Sequence, residues 1–198
     1  MSGFFGPLDG EGRVPPAQQT RVAAFLISAH GALARQFAFV LPAKFEAAWQ
    51  TELNAQLYRE SEIVSLLTRA TSWIPDISLS FMAASWEAAW LPSPLEGFGD
   101  HALARTVHLA LLAHAIHAGI RPAALLPTQA NANDPFTMAL RRIEFESGRL
   151  LQAQILFLKG PELLPFRGAV SAALETRHAE VRKLWRETLQ GIGIAPDE

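Results

Sequence analysis

Between Ala17 and Val40 the apolar residues Val22, Leu26, Ala29, Leu33, Phe37 and Val40 recur at spacings of three and four. That period puts them on one side of a helix, which predicts an amphipathic helix ending before Pro42. Pro42 suits the first turn of a second helix, running to about Ser72, with Phe45, Trp49, Leu53, Val64 and Leu67 as its stripe and a candidate break near Tyr58. A shorter third helix covers about 78–91, with Leu79, Met82, Trp86 and Trp90 on one face.

The fourth segment, HALARTVHLALLAHAIHAGI at 101–120, opens after the N-cap candidate Asp100 and closes at Gly119 and Pro122. Leu103, Val107, Leu109, Leu111, Leu112 and Ile116 surround it on nearly every side, the pattern of a buried central helix. The irregular stretch RPAALLPTQANANDP follows, with room for one helical turn. Asp134 and Pro135 form an N-cap–N1 pair for a fifth helix to about Leu158. KGPELLP reads as a turn, and a sixth helix spans about 167–190. Alternating β-branched runs are missing, so no sheet is expected. The expectation is an all-α fold. Residues 17–198 form a single bundle of about six helices, and residues 1–16, with four Gly and three Pro, form a flexible arm.

Several polar residues break the apolar stripes. Arg177 sits between Leu174 and Val181, Glu60 falls on the stripe of the second helix, and Ser147 and Gln154 fall on that of the fifth. A charge on a core face must be paired or used. The reading is a buried Glu60–Arg177 pair that fixes helix register, or else a ligand contact, with Glu144 as a further carboxylate. A break at Tyr58 would instead turn Glu60 to water.

Four of the six histidines lie between 101 and 117. At 100° per residue, His101 and His108 share a face but are separated by about 10 Å of rise, and His114 and His117 lie opposite them. All four cannot meet one ion. His114 and His117, at i and i+3, could share a metal. Glu175-x-x-His178 has the spacing used by di-iron bundles, which need a second such pair. The residues three before the other histidines are Ile27, Phe98, Arg105, Leu111 and His114, none acidic. No metal is therefore favoured, with His114, His117, Glu175 and His178 as the candidates, and a haem axial histidine stays open.

Composition narrows the classes further. The 198 residues are 49% hydrophobic and 18% charged, with net charge −2. A core is affordable, and clustered cations for a nucleic-acid backbone are lacking. With no cysteine, disulfides, thiolate catalysis and Fe–S clusters are excluded. The N-terminus lacks a signal-like apolar core, and the longest run free of Asp, Glu, Lys and Arg is Thr106–Ile120, too short for a membrane span. A cytoplasmic protein without a transmembrane segment is expected. Walker A, G-x-S-x-G and G-x-G-x-x-G motifs do not occur.

Two functions follow. One is a non-catalytic helical interaction protein, an adaptor, assembly factor or accessory subunit. It would self-associate or dock on a protein partner through a surface such as Trp86 and Trp90. The other is a bundle that binds a metal or apolar cofactor in its core, with enzymatic activity open.

Overall fold

The computed structural model describes residues 9–41, 47–73, 101–127 and 129–191, and these form five α-helices without strands. They are α1 (Pro16–Val40), α2 (Ala47–Thr71), α3 (His101–Gly119), α4 (Pro135–Leu158) and α5 (Arg167–Gly191). Short 3-10 turns, Pro122–Leu125 and Pro161–Phe166, precede α4 and α5. The described helices number five rather than about six. The expected helix at 78–91, with Trp86 and Trp90, lies outside the described residues, as do residues 1–8 of the expected arm. α2 runs unbroken through Tyr58, so Glu60 keeps its phase on the buried stripe.

Local chemistry explains several boundaries. Asp134 caps α4 by accepting a hydrogen bond from the Thr137 N–H, ahead of Pro135 at the first helical position. Residues 9–15 of the expected arm make hydrogen bonds to the rest of the chain. The Asn131 N–H donates to the Gly12 carbonyl at 2.9 Å, and Gln19 Nε2 donates to the carbonyl of buried Val14 at 2.7 Å. Gly12 has φ +73° and would bring a Cβ to 3.1 Å from the Gln129 carbonyl, so only glycine suits it. Gly119 is still helical, and its lack of a Cβ allows close packing, since one would stand 3.2 Å from Val181 Cγ1 of α5.

α1 packs on α2 and α3, and α4 packs on α2 and α3, so these four helices form a square. α5 lies outside, mainly against α3. The core is continuous across the square, from Phe25, Leu26 and Leu33 through Leu67, Leu112 and Ile116 to Phe136, Leu140 and Leu150. Val107 and Leu111 of α3 join a second cluster with Val170 of α5, so α3 is buried on both sides, as its all-round apolarity predicts.

One layer of the square holds His30, Glu60, His117 and Ser147. A second, about two turns along, brings together Phe37, Gln56, Ala110 and Gln154. From the first layer to the second the residue numbers rise in α1 and α4 and fall in α2 and α3. α2 and α3 therefore run the same way, so the end of α2 and the start of α3 lie at opposite ends of the bundle. By length and composition α1 and the segment Ala102–Leu125 could each cross a membrane. In the bundle two thirds of each such window is buried, as in the core helices of a soluble domain.

Candidate metal centre

Glu60 is the most enclosed ionisable group of the square, with no exposed surface. Its two oxygens are divided between two helices. Oε2 lies 2.7 Å from His30 Nδ1 on α1, and Oε1 lies 2.7 Å from His117 Nε2 on α3. The imidazoles are as buried as the carboxylate, and their ring centres are 5.5 Å apart. On the far side of the His117 ring, Nδ1 meets Ser147 Oγ of α4 at 3.0 Å. Each wall of the four-helix square thus contributes one polar side chain to a single layer.

The electrostatics of this layer are unusual for a core. Burial pushes the Glu60 carboxyl up. The charges of His117 and then His30, with their hydrogen bonds, override this and hold it down to about 2. Glu60 is a fully buried carboxyl whose partners among the described residues are imidazoles rather than Lys or Arg. An unneutralised charge in such a place is costly. Either a proton on one imidazole or a cation bound by the group must balance it.

The donor set suits a cation. One atom from each of His30, Glu60 and His117 lies within 4.8 Å of the others. Ligands bonded at about 2.1 Å around one ion stand roughly 3 Å apart, so only small side-chain shifts separate this cluster from coordination. With Nδ1–H of His117 donating to Ser147 Oγ, Nε2 could give up its proton and its hydrogen bond to Glu60 and take a metal instead, the outer-shell arrangement of ligating histidines. A cavity of about 320 Å³, lined by His117, Arg121, Glu144, Ser147, Gly148 and Leu151, touches the Ser147 edge of the layer from outside.

The sequence candidates are distributed differently from expectation. His117 is in the cluster, but His114, three residues earlier, faces α5, where its Nδ1 lies 2.9 Å from His178 Nε2. The two do not share a site. Burial lowers His114 to about 4, helped by His178 and His117, and burial with Arg182 lowers His178. Glu175 is exposed, so the Glu175-x-x-His178 spacing builds no carboxylate–imidazole site here.

Glu60 and Arg177 are both buried, at 0% and 3% exposure, but they are not partners. α2 packs on α1 and α4, whereas α5 packs on α3, so helix placement separates them. The carboxylate beside Arg177 is Glu180, one turn along its own helix at 3.0 Å, and His108 Nδ1 lies 3.4 Å away. Burial, then the Arg177 charge, lowers His108 to about 4. Glu144 pairs with Arg121 instead.

His30 is the member that sequence reasoning missed. The signal was present, because His30 sits between Leu26 and Leu33 on the buried stripe of α1, the same misplaced polarity that marked Glu60. Comparison with known proteins finds no family model, no curated protein and no solved structure that matches this chain.

Proposed function

We propose that this protein is a metal-binding helical bundle that holds one divalent transition-metal ion between His30, Glu60 and His117. The observation that carries this reading is Glu60, a carboxyl with no exposed surface whose two oxygens are divided between two buried imidazoles, one ligand atom of each lying within 4.8 Å of the others. Two imidazoles and a carboxylate suit iron, zinc or manganese better than calcium or magnesium, which prefer all-oxygen sites. The same trio is the donor set of non-haem iron centres, which links the reading to enzymatic chemistry. Glu60 occupies the space between the rings, which favours a single ion over a haem.

Elemental analysis of the purified chain, and titration with Fe²⁺, Zn²⁺ and Mn²⁺, tests this. About one equivalent per chain is expected, lost in Glu60→Gln. A folded wild-type protein that takes up no stoichiometric metal overturns it.

A second reading, an interaction protein, draws support from the outer face of α4. Met138, Phe145 and Leu156 are 51%, 58% and 71% exposed, and their spacings of seven and eleven residues place them in one line. Light scattering on the wild type and on Phe145→Ser/Leu156→Ser checks for self-association through this face. A monomer at all concentrations argues against it.

A further inference from the structure

Away from the metal layer, the end of α4, the turn at Pro161–Phe166 and the start of α5 line a second, half-open cavity, of about 450 Å³. Its walls are largely aliphatic, with Ile155, Leu158, Leu163, Val170 and Leu174 among them. Leu163 and Val170 form a buried floor, at 2% and 6% exposure. The charged residues that line it, Lys159 and Arg167, are both exposed, so they stand at its mouth. No carboxylate is among its described lining residues, although Glu162, on the intervening turn, lies close to the lining residue Gly160, where an added Cβ would stand 2.9 Å from its Oε2. His114 supplies a polar point on the wall, with Nδ1 already engaged by His178.

This arrangement has a direction, apolar inside and cationic at the opening. Its volume falls in the ordinary small-molecule range, roughly 300–1,000 Å³. A neutral apolar ligand would leave Lys159 and Arg167 unused, and a small anion would leave the aliphatic walls in water. We infer that this cavity binds a linear aliphatic carboxylate. The hydrocarbon tail lies on Leu163, Val170 and Leu174, and the carboxylate meets Lys159 and Arg167 at the mouth. The inference uses none of His30, Glu60 or His117, so it stands or falls apart from the metal reading.

Calorimetric titration of the full chain with octanoate, decanoate and decanol tests it. Decanoate should bind saturably at one per chain. Each added methylene should strengthen binding by about fourfold while the tail remains inside, so decanoate should exceed octanoate by roughly fifteenfold. Lys159→Gln/Arg167→Gln should weaken decanoate by roughly tenfold, the worth of two partly exposed charge pairs, and leave decanol unchanged. Ser171→Trp, on an exposed wall position, should abolish binding of both. Leu164→Glu, also exposed on the wall, serves the same purpose should the tryptophan disturb the fold. Failure of decanoate to saturate at millimolar concentration overturns the proposal. So does decanoate binding that survives both wall variants, or a charge-neutralised variant that loses decanoate and decanol equally.

Discussion

α3 carries histidines on two faces, and the faces behave as different solvents. His117 turns into the square, where it meets a fully buried carboxyl and a second imidazole. His108 and His114 turn towards α5, where they are half-buried and their neighbours are a guanidinium and another imidazole. On the inner face the environment concentrates negative charge and invites a cation. On the outer face it disfavours the imidazolium, and both rings stay neutral at pH 7. One residue type within three turns of one helix therefore takes opposite electrostatic roles, set by the helices packed against each face.

The contrast breaks most sharply under truncation. His117→Ala leaves the Glu60 anion with one partner in a dry core and should cost about 3–5 kcal/mol, whereas His114→Ala, half-open to water, should cost about 1 kcal/mol or less. Urea denaturation of the two variants measures both, and equal losses would erase the distinction between the faces. Arg177→Ala falls between them, at about 2 kcal/mol. It removes a buried cation, but Glu180 can recover solvent because its side chain is 34% exposed.

Ser147→Ala sharpens the inner face alone. It removes the hydrogen bond to His117 Nδ1 and should cost about 1 kcal/mol in the absence of metal. It should also weaken metal affinity by at least about tenfold, as loss of an outer-shell partner does, measured by competition with a chromophoric chelator.

Acid separates the faces by window. His108 and His114 fall from about 6.5 unfolded to about 4 folded, so the unfolded chain binds more protons between those values. Stability from the outer face is complete above about pH 6.5 and declines as pH falls towards 4. The Glu60 contribution, with a folded value of about 2, is complete above its unfolded value near 4.5 and declines only below it. Denaturation midpoints at pH 7.5, 5.5 and 4.5 should fall progressively. A midpoint constant over this range would show that the outer histidines are not desolvated in solution.

Much of this architecture was legible in the apolar period. α1, α4 and α5 begin and end within about a residue of expectation, because proline, the Asp134 cap and the stripes all agree. Arg177 and Glu60 were legible as buried charges for the same reason. Their partners were not, because partnership depends on which helices touch, and no intrahelical pattern encodes that α2 faces α3 across the square while α5 stays outside it. His30 was overlooked because a single imidazole on a stripe resembles an ordinary core residue until Glu60 is placed beside it.

The helix directions carry a consequence for how the molecule assembles. α1 and α2 form one antiparallel pair and α3 and α4 another, with the end of α2 and the start of α3 at opposite ends of the bundle. Each pair supplies half of the polar layer, His30 with Glu60 and His117 with Ser147. The layer is complete only when the two pairs dock in register, because Glu60 of one must meet His117 of the other. A register slip between the pairs strands an anion, and a correctly seated pair does not.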